Sequence, residues 1–107
     1  MNDFFFIRQS GKLHRVALGD VLFIEGLRNY CRIHTKNGIL VTLKTMKELE
    51  SWLPAKDFIR IHKSYIIAIN KIFQVTKSEV CLNKSQCIPV GETFRPKLKS
   101  FISGNML

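Results

Sequence analysis

The chain is short of acidic residues, of cysteine and of long apolar runs, and each shortage excludes something. Against 17 Lys and Arg it carries only 8 Asp and Glu. These acids are scattered and never pair on one face, which argues against glycosidase-type chemistry. Three cysteines, Cys31, Cys81 and Cys87, are an odd and widely spaced set. Cys81 and Cys87 show no Cys-x-x-Cys spacing and no paired His, so the pattern does not suit zinc. Reduced structural thiols are the expectation. No apolar stretch approaches the ~20 residues of a membrane span. Phe4-Phe5-Phe6-Ile7 is cut short by Arg8, too early for the apolar core of a secretory signal. A cytoplasmic location is therefore expected. Gly-x-Ser-x-Gly, P-loop and Gly-x-Gly-x-x-Gly motifs are all missing. His14, His34 and His62 fall on separate segments with no reactive nucleophile beside them. Neither an enzyme nor a cofactor or metal site is expected.

What is present is a basic chain with enough apolar material for one core. Its 107 residues are 46% hydrophobic, with 8 Phe, and carry a formal net charge of +9. That length suits a single domain over residues 1–107, and there is no linker, internal repeat or low-complexity segment. A charge that large on one domain points to a polyanionic partner, nucleic acid before anionic lipid.

Short strands with turns at regular spacing predict a mainly β fold of packed antiparallel sheets, with one short central helix and one C-terminal helix. Strands are expected from Phe4 to Gln9 and Leu13 to Leu18, with a turn at Ser10-Gly11. Val21-Leu22-Phe23-Ile24 is continuously apolar and reads as a central buried strand, followed by a loop over Glu25 to Asn29. Tyr30 to Thr35 and Ile39 to Leu43 flank Asn37-Gly38, which predicts a type I′ hairpin. Tyr30, Arg32 and His34 then share one face. Thr45-Met46-Lys47-Glu48 has capping-box spacing, so a helix begins there and Pro54 ends it. Leu49, Trp52 and Phe58 read as core. Further strands are expected around Ile72 to Thr76, Val80 to Leu82 and Cys87 to Val90. Phe94, Leu98, Phe101 and Ile102 form a helical stripe, with Thr93 as its N-cap and Gly104 to Leu107 as a frayed end.

Three polar, basic patches lie at element boundaries: Arg28-Asn29-Tyr30, His62-Lys63-Ser64, and Thr93-Phe94-Arg95 with Lys97 and Lys99. Arg and Lys match guanine edges and Asn matches adenine bidentately, and a helix start at Thr93 would suit a phosphate. The second patch is the most informative. Phe58-Ile59-Arg60-Ile61 alternates like a strand, the polar triplet interrupts it, and Tyr65-Ile66-Ile67 resumes it, which places donors on a rigid platform. Each patch alone also reads as an ordinary solvated turn or helix face. The alternative class is a basic β module for RNA or another polyanion. Few aromatics interleave with the basic patches, which argues against stacking on single strands.

In order along the chain, these segments resemble the LytTR DNA-binding domain of bacterial response regulators. The resemblance is carried by "GDVLFIEGLRNYCRIHTKNG", by "TLKTMKELESWLPAKDFIRIHKSYIIAINKI" with the Phe-x-Arg-x-His-(Arg/Lys)-Ser-Tyr signature at Phe58 to Tyr65, and by "IPVGETFRPKLKSFI". It implies packed antiparallel sheets and sequence-specific duplex-DNA binding through loops rather than a recognition helix. Arg28 to Tyr30, Lys63 after His62, and Thr93 to Arg95 fall at or near the family's contacting positions. Many members carry Arg where this chain has Glu92, which moves the expected contact to Thr93 and Arg95. The resemblance also implies a receiver domain or upstream sensor, none of which is in this chain, and pairing on repeated sites.

Overall fold

The computed structural model describes residues 3–107. In chain order these form β1 (Phe4–Gln9), β2 (Lys12–Ala17), β3 (Val21–Gly26), β4 (Cys31–Thr35), β5 (Gly38–Thr42), α1 (Met46–Trp52), β6 (Phe58–His62), β7 (Tyr65–Ala68), β8 (Gln74–Val75), β9 (Glu79–Cys81), β10 (Cys87–Pro89) and α2 (Arg95–Ser103). Short 3-10 turns at Leu18–Asp20, Ile69–Lys71 and Glu92–Phe94 link some of them. All strand pairs are antiparallel and make three sheets: a five-stranded sheet in the order β5-β4-β3-β7-β6, the β1-β2 ribbon, and a small sheet ordered β10-β9-β8. The expected mainly β architecture with two helices is what the chain adopts.

β3 is the middle strand of the large sheet, and its apolar run explains why. Val21 and Ile24 face one core and Phe23 the other, so the strand is wetted on neither side. The first core joins Val21, Ile24, Ile33, Phe58 and Ile66 to Ile7 and Val16 of the ribbon. The second joins Phe23, Ile59, Ile61 and Ile67 to Val80 and Ile88 of the small sheet and Leu98 of α2. The large sheet is thus the middle layer, and its best-buried residues, Val21, Ile61 and Ile67, show no exposed surface at all. Burial of that kind stabilises by ~1.5–3 kcal/mol per large side chain, which makes these strands stiff.

Several local expectations are corrected. The positive-φ two-residue turn lies at Ser10 (φ 54°) and Gly11 (φ 72°), between the paired Gln9 and Lys12, and not at Asn37-Gly38. In the second hairpin Thr35 pairs with Gly38, so the loop is Lys36-Asn37 and only Gly38 has positive φ. Asp20 explains the shift: its carbonyl accepts from the Lys36 N–H at 3.0 Å and its carboxylate meets Lys36 Nζ at 3.2 Å. Thr35 Oγ1 closes the turn by donating to the Gly38 carbonyl at 2.7 Å. The predicted loop at Glu25-Gly26 is strand, because Gly26 still pairs with Cys31. Trp52 is not core. It is 46% exposed and stands edge-on to Phe5 at 5.7 Å, because the ribbon leaves it at the rim. Leu49 is partly buried and Phe58 buried, as expected. Gly104 and Asn105 are not frayed, since their N–H groups bond the Ser100 and Ile102 carbonyls.

Cys81 and Cys87 are not reduced thiols but a disulfide. The β9–β10 hairpin register sets them directly opposite each other, which their linear spacing conceals. Cys31 is the free, buried cysteine, and burial pushes its thiol pKa up. The sulfurs of Cys81 and Cys87 lie near a Glu79 carboxylate oxygen, but sulfurs bonded to each other are not thiolate ligands. The capping box of α1 is formed as expected: Glu48 N–H donates to Thr45 Oγ1 at 3.1 Å and Thr45 N–H to Glu48 Oε1 at 3.0 Å.

Candidate nucleic-acid interface

The three basic patches come together at one rim because two backbone hydrogen bonds tie them. The N–H of Gly26, where β3 ends, donates to the Ser64 carbonyl at 2.7 Å. That sets the loop carrying Arg28, Asn29 and Tyr30 beside the Lys63-Ser64 turn joining β6 to β7. The N–H of Gly91 donates to the Ile61 carbonyl at 2.8 Å. That sets the segment leading to Thr93 and Arg95 on the other side of the same turn. Both glycines sit where a side chain would intrude. A Cβ on Gly26 would lie 2.6 Å from Met46 Cγ, and one on Gly91 would lie 3.2 Å from the Phe94 ring and 3.6 Å from His62.

Arg28 and Asn29 are exposed, and the Leu27 N–H closes their loop onto the Tyr30 carbonyl at 2.8 Å. Tyr30 is half-buried at the base of the loop, with the Arg32 guanidinium 5.9 Å from its ring. Lys63 is exposed, while Ser64 and His62 are half-buried. His62 Nδ1 accepts from the Ser64 N–H at 3.0 Å, so that imidazole nitrogen serves the turn. Thr93 is not the cap of α2. Residues 92–94 wind as a 3-10 turn, closed by Phe94 N–H on the Gly91 carbonyl at 2.9 Å, and the helix follows directly at Arg95 with no side-chain cap. Thr93 and Arg95 are both exposed. Lys97 is exposed and its Nζ stands 3.8 Å from Glu50 of α1. Lys99 lines a shallow groove with Arg95, Thr76 and Lys77.

Read along the chain alone, Arg60, Glu50 and Gly26 have no assigned role. Arg60 interrupts an otherwise buried strand, with Ile59 and Ile61 on either side, and a lone charge in such a strand was the available signal. Its Nη2 donates to the Lys63 carbonyl at 2.6 Å, its Nε to the His62 carbonyl at 3.3 Å, and its Nη1 to Glu50 at 3.0 Å. Further along the sheet, Glu25 sits 3.1 Å from His34 and 3.6 Å from Arg32, and the His34 ring stacks on Phe23 at 4.1 Å.

The domain is mainly β, with its basic segments drawn together by backbone hydrogen bonds between strand ends. Residues 11–103 match the LytTr DNA-binding domain, and the chain belongs to that family. It is 32% identical over 72 residues to the transcriptional regulatory protein NatR of Bacillus subtilis, covering 67% of this chain and 31% of that protein. It is 26% identical to the CO-responsive transcriptional regulator RcoM of Rhodospirillum rubrum, covering 87% of this chain and 47% of that protein. The chain thus spans less than half the length of these curated relatives. Its fold superposes with a TM-score of 0.82 on a LytTr DNA-binding domain of a Bacillus cereus response regulator, at 18% identity and over 95% of this chain and 98% of that one. The domain is accordingly a DNA-binding module of the kind found in bacterial transcription regulators. Among the described residues, no helix is long and apolar enough to cross a membrane.

Proposed function

We propose that this domain reads duplex DNA sequence-specifically as the cytoplasmic effector of a bacterial transcription regulator, and performs no catalysis. Lys63 and Arg95 contact base edges in the major groove, helped by Arg28, Asn29 and Thr93. Lys97 meets phosphate, and His62, Ser64 and Tyr30 hold the reading loops. Base contacts specify while phosphate contacts position. The observation that carries this reading is the pair of backbone bonds, Gly26 to Ser64 and Gly91 to Ile61, which gather three basic loops on one rim. Control comes from a receiver domain or an upstream sensor, and two copies engage repeated sites.

The test selects sites from a random duplex library and then titrates the selected duplex, random duplex, single-stranded DNA and RNA at two salt concentrations. With roughly 4–7 phosphates neutralised, the log–log salt slope is about −4 to −6. Lys63→Ala and Arg95→Ala each cost roughly 1–3 kcal/mol on the selected site and narrow its lead over random duplex. Lys97→Ala weakens both duplexes alike and reduces the slope by about one unit. Equal weakening of both duplexes by Lys63→Ala and Arg95→Ala would sink the assignment of readers, and preference for RNA would replace duplex DNA as the ligand.

A further inference from the structure

We infer that Arg60 is the positioning residue of the DNA-reading rim: it orders the hairpin tip that carries Lys63 and ties that tip to the segment carrying Arg95, without itself touching DNA. The inference rests on the reading proposed above and deepens it. Arg60 lies in β6 opposite Ile66, and its side chain is only 17% exposed. Each of its nitrogens makes a hydrogen bond inside the domain. Nε and Nη2 hold the carbonyls of His62 and Lys63, and Nη1 holds the Glu50 carboxylate. The guanidinium also lies 5.5 Å from the centre of the Phe94 ring. Glu50 in turn stands 3.8 Å from Lys97 on α2. One planar cation therefore links helix α1, the Lys63-Ser64 turn and Phe94 at the start of α2.

This task suits arginine. A guanidinium presents donors in a fixed fork, keeps its charge at any working pH and stacks on an aromatic face. Lysine offers a single ammonium that cannot span two adjacent carbonyls, a carboxylate and a ring. The consequence for binding is selective. Reading a base edge needs donors within a few tenths of an ångström of their hydrogen-bonding positions, whereas attraction to phosphate falls off gradually with distance. Loosening the tip therefore removes discrimination while leaving the electrostatic attraction in place.

The experiment compares the full chain with Arg60→Lys, which keeps the charge, and Arg60→Met, which keeps the stem and removes every donor. Three quantities are read: the melting temperature, hydrogen exchange at the Ser64 and Gly91 amides, and affinity for selected and random duplex at two salt concentrations. The expected result for Arg60→Lys is faster exchange at Ser64, a selected-site affinity lower by roughly tenfold or more, random-duplex affinity within about twofold of the parent, and an unchanged salt slope. A phosphate-contacting Arg60 would instead lose about one unit of slope in Arg60→Met and weaken both duplexes equally, which would overturn the inference. Unchanged exchange at Ser64 and an unchanged ratio of selected to random affinity would overturn it too. If Arg60→Met does not fold, Arg60→Lys decides alone. If the parent protein prefers no duplex, the proposed function fails, whereas the exchange at Ser64 still reports whether Arg60 orders the tip.

Discussion

Gly26 gives the sharpest test of how the rim is assembled. It ends β3, donates to the Ser64 carbonyl at 2.7 Å, and has Met46 packed against the space where a side chain would be. In Gly26→Ala the new methyl would sit 2.6 Å from Met46 Cγ and 3.0 Å from its Sδ, with the Ser64 backbone at 3.6 Å. Something must move, and the flexible thioether is the easiest part to displace. Overpacking of this kind costs about 1–3 kcal/mol, and each kcal/mol lowers the melting temperature by about 4–8 °C in a domain near this size. Met46 is only half-buried, so Met46→Ala alone should cost less than the ~2–5 kcal/mol of a fully buried methionine. Because the clash lies between these two side chains, the double variant should be better than additive by about 1 kcal/mol or more, inside the ~0.5–3 kcal/mol coupling of contacting residues. Urea unfolding of the four proteins measures this directly. Additivity to within about 0.5 kcal/mol would show that Met46 is not the obstruction, and the close approach of β3 to the Lys63-Ser64 turn would need another explanation.

Three further outcomes follow from the geometry. Trp52→Ala should cost about 1–2 kcal/mol, roughly half the usual cost of truncating a buried aromatic, because the ring is 46% exposed and keeps mainly its edge contact with Phe5; a loss of 3 kcal/mol or more, on the same scale, would put it back in the core. The Thr45 backbone N–H bonded to Glu48, aided by the Thr45 side chain and Lys44, lowers the Glu48 pKa. Its contribution is therefore full above the ordinary carboxyl pKa and lost as pH falls through the depressed native value. The stability gap between the parent and Glu48→Gln should close on acidification, and a gap independent of pH would contradict the capping role. The Cys81–Cys87 bond closes a loop of separation 6, for which chain entropy gives about 2 kcal/mol; the double Ser variant should lose that much in urea unfolding, and no change between oxidised and reduced parent would show that the hairpin holds itself.

What could be read from the sequence was whatever a single segment decides. The apolar run Val21 to Ile24 fixes a strand buried on both faces, and the Thr45/Glu48 spacing fixes a capped helix, because each answer lies within a few residues. The triplet after Ile61 announced a polar turn between two strands for the same reason. What escaped were features that need a partner from another element. Asn37-Gly38 carries a hairpin signal, but Asp20, far off in the chain, captures Lys36 and moves the loop by one residue. Cys81 and Cys87 meet only through the β9–β10 register. Thr93 looked like a cap because the apolar stripe begins beside it, yet Phe94 folds back on Gly91 first and delays the helix. Arg60 is the clearest case. Its neighbours in sequence give it no partner except the turn it points toward, and its role emerges only when α1 brings Glu50 and the third loop brings Phe94. The same logic explains why the basic patches were visible singly but not as a surface. Their charge is local, whereas their adjacency depends on two glycine N–H groups that reach across strands, and a bare glycine gives no sign of which carbonyl it will find.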